Sequence, residues 1–314
     1  MPFTERSLVD YLRTRAAKGP RVVVGIGHDA AVVRATGGGD LALKSDQTIE
    51  GVHFRRDEAP LALFGRKALA RVLSDLGAIG ARPVAALCSA ALPADLDERG
   101  ARELFDGLLA LADEHEVSLV GGDLARSPSG IALDVAAVGF LEGRRPLLRS
   151  GAKAGDALVV TGPLGGSRAG HHLRFEPRWR EGVALAASGL VHAAIDLSDG
   201  LARDLHHVAV ESGVGAQVEL AALPRRRLPD GSLATIEQAL HDGEDYELLL
   251  AAPPEAVLRL AALPELARVS LVRIGSIVAG SLAGSVAGSL IVQVDEQGRL
   301  SPLPPGGFEH RFGG

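Results

Sequence analysis

"AIDLSDGLARDL", residues 194–205, decides how this chain is read. Apolar residues lead in, and Leu201 and Leu205 lead out at helical spacing. Between them Asp196 and Asp199 crowd a turn that also holds Ser198 and Gly200. Carboxylates seldom enter apolar surroundings unless they are paired or bound to metal. A helix is predicted over about 199–212, with Arg203 and Asp204 on its solvated face.

The same setting recurs along the chain. Asp29 lies in "GIGHDA", Asp46 in "LKSDQ", Asp75 in "VLSDLG" and Asp123 in "VGGDL", each beside Gly or Ser at the end of an apolar segment. One such Asp is a turn former or helix cap. Six of them point to a shared task. Gathered carboxylates repel one another unless cations join them. Mg²⁺ takes a few carboxylates and completes its shell with water and phosphate oxygens. The pattern therefore predicts a site where the protein holds metals and the metals hold phosphates.

Further out, residues 4–17 read as an amphipathic helix through Leu8, Tyr11 and Leu12. "GRKALARVLSDLGAIGARP" (65–83) reads as a helix with Leu69, Val72, Leu73 and Leu76 on its apolar stripe, stopped by Gly80 and Pro83. Residues 100–114 form another. "VSLVGGD" reads as a short buried strand. The polar, Gly- and Arg-rich stretch 141–156 marks a boundary between residues 1–140 and 141–314. "GSIVAGSLAGSVAGSL" (275–290) reads as an edge hairpin or flexible loop. Strands and helices alternate in both halves, which favours α/β or α+β over all-β.

Composition narrows the function. A chain of 314 residues with 46% hydrophobic and 23% charged residues can bury a large core and suits two domains. Its net charge of −6 lacks the basic footprint of a nucleic-acid binder. A single cysteine, Cys88, leaves no disulfide framework and reads as a small buried hydrophobe. No apolar run approaches the ~18 residues of a membrane span, and the start is not signal-like. A cytoplasmic location is expected. There is no G-x-x-x-x-G-K-[ST] loop and no protein-kinase set, and "GPLGGSRAG" (162–170) lacks Rossmann spacing.

"GIGHDAAVV", "SDQTIEGVHF", "KALARVLSDLGAIGARP", "LVGGDLARSP", "RSGAKAGDALVVTGPLG", "AIDLSDGLARDL" and "DGEDYELLL" occur in the order found in the thiamine-monophosphate kinase family. From about residue 4 to the C-terminus the chain resembles that family, which belongs to the superfamily of aminoimidazole ribonucleotide synthetase and selenophosphate synthetase. The resemblance implies an N-terminal α/β domain whose sheet pairs across a homodimer, and a C-terminal α+β domain. It implies direct in-line transfer of the γ-phosphoryl group of ATP to thiamine monophosphate, with several Mg²⁺ ions and in many such enzymes K⁺. It assigns metal binding to Asp29, Lys44, Ser45, Asp46, Asp75, Asp123, Asp196 and Asp199. ATP contacts fall to Gly122, Asp123, Arg149 and Ser198, and substrate contacts to His53, Glu244 and Phe308.

The chain departs from the family pattern at His28, Val72, Leu124, Ala125 and near Pro305. None of these removes an implied carboxylate ligand. Two rivals remain: a nucleotide-binding paralogue without turnover, and a superfamily enzyme with another small acceptor. Selenophosphate synthesis and hydrogenase maturation would want terminal cysteines, which the chain lacks.

Overall fold

Alternating burial builds the first sheet. The computed structural model describes residues 3–16, 19–36, 38–280, 289–308 and 311–312. A short β1 (Phe3–Thr4) precedes helix α1 (Glu5–Arg15). Then β2 (Val22–Val24), β3 (Ala31–Arg34), β4 (Asp40–Ile49), β5 (Arg82–Pro93), β6 (Ser118–Ser127) and β7 (Ala132–Phe140) form a six-stranded sheet in the order β2-β3-β4-β7-β5-β6. Along β7, Leu133, Val135 and Ala137 are buried while their neighbours are half-exposed. That period of two turns one face onto helices α2 (Leu61–Ala78) and α3 (Glu98–Glu114). The other face is open, and Leu43, Leu87 and Val120 are exposed on or beside it.

The second half forms a seven-stranded sheet from β8 (Ala157–Val160), β9 (Ala193–Asp196), β10 (Gly215–Glu219), β11 (Leu248–Ala252), β12 (Val272–Val278), β13 (Ile291–Val294) and β14 (Leu300–Pro302). Its helices are α4 (His171–Arg174), α5 (Trp179–Ser188), α6 (Leu201–Ser212), α7 (Ile236–His241) and α8 (Val257–Ala261). Every residue of β8, β9 and β11 is buried, because both faces are covered. Ile195 joins Leu201 and Leu205 of α6 on one side; Ala194 joins Leu185 of α5 on the other. A final β15 (Arg311–Phe312) returns antiparallel to β1, so the two ends of the described chain meet.

Helix α2 is the axle between the halves. Thirteen of its eighteen residues are buried, so it has partners on nearly every side: α3, β4, α5 and the end of β9. Ser74 Oγ donates to Asp196 Oδ2 at 2.7 Å, tying the last turns of α2 to the C-terminal end of β9.

Three expectations need correction. The segment read as a short buried strand is β6, a ten-residue edge strand that is mostly exposed. It borders only β5, and Gly121 and Gly122 give it no side chains to bury. Gly275–Val278, read as the start of an edge element, belong to β12 in the sheet interior between β10 and β8; residues 281–288 of that repeat lie outside the described residues. Asp204 is not on a solvated face but is 2% exposed.

Glycines set the closeness of the α2–α5 crossing. A Cβ on Gly182 would stand 1.9 Å from the Gly77 carbonyl oxygen. Backbone cannot step aside as a side-chain tip can. Gly182→Ala is therefore expected to destabilise the protein by about 1–3 kcal/mol, the usual cost of overpacking, read as a lower urea midpoint. An unchanged midpoint would mean the crossing tolerates a wider spacing.

Candidate active site

Three carboxylates from three elements converge where α2 meets the end of β9. Asp29 follows a turn that needs Gly27 at φ 119°. Asp75 sits in the last turn of α2, and Asp196 ends β9. One oxygen from each lies within 4.8 Å of the others, and all three side chains are buried. Burial, then the neighbouring Asp29 charge, pushes the Asp196 carboxyl up to about 7. Burial also drives Asp75 well above the carboxylate range, with Asp196 adding to it against Lys44. Oxygen-only, anionic and crowded, this donor set fits a hard divalent cation.

Internal cations hold the acids meanwhile. Lys44 Nζ lies 2.9 Å from Asp75 Oδ1, Arg71 Nη2 3.0 Å from Asp46 Oδ2, and Arg149 Nη2 2.7 Å from Asp29 Oδ1. Burial opposes the charge on Lys44 and Arg149. The facing aspartates outweigh it, so both stay above their usual values.

Lys44, Asp46, Arg71, Asp75, Arg149 and Asp196 line one cleft, shared with His53, Ser198, Asp199, Glu244, Tyr246, Pro305 and Phe308, and Asp29 stands against it through Asp75 and Asp196. Its floor is clamped from beneath by the Gly-rich loop. Gly165 N donates to Asp245 Oδ1 at 3.0 Å, Gly166 N to Asp242 Oδ2 at 2.8 Å, and Ser167 Oγ to the Gly243 carbonyl at 2.6 Å. The loop's amides thus grip 242–245 instead of a phosphate. The clamp sustains two uncommon conformations, Glu244 at φ 55° and Tyr246 at φ 51°, each costing on the order of 1 kcal/mol. Phe175 stacks on Tyr246 at 3.9 Å between ring centroids and helps fix the turn.

The comparisons fall on this frame. The model of the AIR synthase related protein N-terminal domain matches residues 27–141, and that of the C-terminal domain matches 153–286. Thiamine-monophosphate kinase of Rhodopirellula baltica is 41% identical over 263 residues, 80% of this chain and 83% of its own length. The enzyme of that name from Escherichia coli K12 is 38% identical over 259 residues, 74% of this chain and 77% of its own. The solved structure of AaThiL complexed with AMPPCP and TMP has a TM-score of 0.81 at 29% identity, covering 98% of this chain and 97% of that one. The chain belongs to the AIR synthase-related family, among its thiamine-monophosphate kinases.

Residues implied by that kinase family divide into two groups. Asp29, Asp46, Asp75, Asp196, Asp199, Arg149, Ser198, His53, Glu244 and Phe308 lie in or against the one cleft. Lys44 also faces it, but its ammonium is engaged by Asp75, which leaves its backbone for any cation. Ser45 alternates to the opposite face, where its hydroxyl donates to Asp134 Oδ1 at 2.7 Å. Gly122 and Asp123 stand apart on β6. Three strand spacings, roughly 14 Å, separate them from Asp46 within one protomer.

Sequence reasoning missed Lys67, Arg71, Ser74, Asp134, His172 and Asp204. Asp204 has a legible cause in hindsight. Helix α6 starts at Gly200, which has no side chain to cap it, and Asp204 Oδ2 reaches back to accept from Asp199 N at 3.1 Å.

The raised Asp196 value has a stability consequence. The folded protein holds its proton more tightly than the unfolded chain, so without metal, stability falls as pH climbs from 3.8 to about 7. Asp196→Asn keeps an oxygen for Ser74 and removes that loss. In EDTA the variant should melt above the parent at about pH 8, with the gap closing toward about pH 4. Parallel melting curves would show that the carboxylate is not under repulsion.

Proposed function

We propose that this chain phosphorylates thiamine monophosphate to thiamine diphosphate at the expense of ATP, as a cytoplasmic homodimer using several Mg²⁺ ions. The observation that carries the reading is the buried trio Asp29, Asp75 and Asp196, with one oxygen of each within 4.8 Å of the others, two of them lining a cleft with Arg149, His53 and Glu244. Residues 1–140 supply Asp29, Lys44, Ser45, Asp46, Asp75 and Asp123 toward the metals. Residues 141–314 supply Asp196 and Asp199, with Arg149 and Ser198 toward ATP. His53, Glu244 and Phe308 face the acceptor. K⁺ is an accessory expectation only.

Both substrates are polyanions, so the main obstacle is bringing phosphate to phosphate. Mg²⁺, which Asp29, Asp75 and Asp196 would hold, would supply the positive charge that offsets this repulsion. The aspartates fix where the positive charge sits, and Ser74 and the helix α2 frame fix the aspartates. Arg149, a planar fork, suits phosphate while it also pairs with Asp29. One acceptor phosphate oxygen forms the new P–O bond as the bond to the ADP oxygen breaks. A phosphate monoester is largely ionised at neutral pH, its second pKa being about 6, so no strong general base is required.

The open face of the six-stranded sheet supports the homodimer, with Leu43, Leu87 and Val120 exposed on or beside it. Asp123 is remote from its own protomer's cluster, and a dimer seam on this face would let it serve the neighbouring one.

The direct test is ADP release with and without thiamine monophosphate; release that ignores the acceptor, or none despite ATP binding, would favour a rival. Asp75→Asn should lower turnover at least about 100-fold with the fold intact, since it removes positioned charge rather than packing. Full activity would remove Asp75 from the site. Glu244→Ala should raise KM for thiamine monophosphate more than KM for ATP. The reverse order would move the acceptor pocket elsewhere.

A further inference from the structure

Beneath the acceptor end of the cleft lies a buried lysine that the metal-based mechanism leaves unused. Lys67, on α2, is 0% exposed. Its ammonium has three hydrogens and three acceptors. Nζ donates to the His53 carbonyl at 2.8 Å, to His172 Nδ1 at 3.0 Å, and to Glu244 Oε1 in a short bond. All three partners come from different segments, and two of them flank or form the candidate acceptor pocket.

This arrangement divides the Glu244 carboxylate into two unlike oxygens. Oε1 is consumed by Lys67. Oε2 is buried and has no hydrogen-bond partner among the described residues. His172 Nδ1 lies 3.6 Å from it and Arg168 Nη2 3.7 Å, both beyond hydrogen-bond reach. Nor can His172 turn into a donor there. Burial, followed by the Lys67 charge, holds its ring down to about 4, so it is neutral, and its Nδ1 lone pair is already taken by Lys67. Burial pulls Lys67 itself down to about 8, still charged near neutrality, and its charge keeps Glu244 ionised against burial. A buried, ionised oxygen without a donor is an unfilled acceptor.

We propose that Lys67 is a positioning residue: by occupying Glu244 Oε1 and the His172 lone pair, it leaves Glu244 Oε2 as a fixed acceptor for the N–H donor of the acceptor substrate. The inference rests on the function proposed above. In thiamine monophosphate the one N–H donor is the exocyclic amine of the aminopyrimidine. Lys67 thereby makes the site selective for an amino over an oxo pyrimidine, and through the His53 carbonyl it fixes the neighbouring wall.

The test uses the full-length enzyme and two acceptors: thiamine monophosphate and oxythiamine monophosphate, in which a carbonyl replaces the amine. The parent should prefer the amine by about tenfold or more in kcat/KM, because the oxo form leaves a buried acceptor unpaired. Lys67→Met should raise KM for thiamine monophosphate and shrink that preference, with KM for ATP within about twofold of the parent. Glu244→Gln keeps shape and folding and gives the sharper outcome. Lys67 will claim the amide oxygen, so the amide NH₂ faces the substrate and the preference turns toward the oxo form. If Glu244→Gln retains the amine preference, Lys67 does not orient this side chain and the proposal falls. A parent with no preference overturns it equally. Absence of acceptor-dependent ADP release in the parent would instead overturn the proposed function, and this inference with it.

Discussion

Everything in this molecule turns on mutual repulsion among Asp29, Asp75 and Asp196 at the place where helix α2 crosses the end of β9. Each carboxylate is held by a different element, so none can retreat without moving a helix, a strand or a glycine turn. The fold therefore stores an unfavourable charge arrangement, and its apolar clusters must outweigh it. Helix α2 makes that feasible: buried nearly all round, it packs Leu69, Val72, Leu73 and Leu76 while presenting Ser74 and Asp75 toward the cluster. The same helix thus supplies both the cohesion and the strain.

The cations around the acids offset part of this repulsion. Lys44, Arg71 and Arg149 each pair with one aspartate, and together they spread positive charge around a cluster that no single one of them neutralises. Asp196 accepts from the Ser74 hydroxyl, and burial with the Asp29 charge raises it to about 7, while Asp75 is driven well above the carboxylate range even with Lys44 beside it. Burial is the main cause of the Asp196 rise, and the nearby Lys44 and Arg149 charges only temper it.

Much of this was legible in the chain. Acidic turns after apolar segments announced the cluster, and two periods, 3.6 and 2, announced the mixture of helices and strands. What escaped was long-range. Lys67 reads as one more polar residue on a helix, because its three acceptors come from segments near 53, 172 and 244. Asp204 reads as surface because a helix predicted from about 199 hides that α6 begins after Gly200, which has no side chain to cap it. The β6 segment reads as buried because Val and Leu suggest a core strand, whereas burial depends on how many strands flank it, which pairing alone decides.

The Gly-rich loop carries the same lesson furthest. Glycines before a helix suggest a phosphate cradle, since bare amides attract anions. Here the anions are internal: Asp242 and Asp245 fill the loop as a phosphate would, and Arg226 meets Asp245 from the other side at 3.0 Å. Two motifs about eighty residues apart are therefore halves of one device. Neither has its meaning alone, because glycine matters for what can approach it, and the partner that approaches is the acidic turn. Holding that turn rigid lets Glu244 keep a positive φ and point one oxygen at Lys67. Phosphate handling is left to the acids and arginines of the cleft, so a chain without any familiar nucleotide loop can still be built around polyanions.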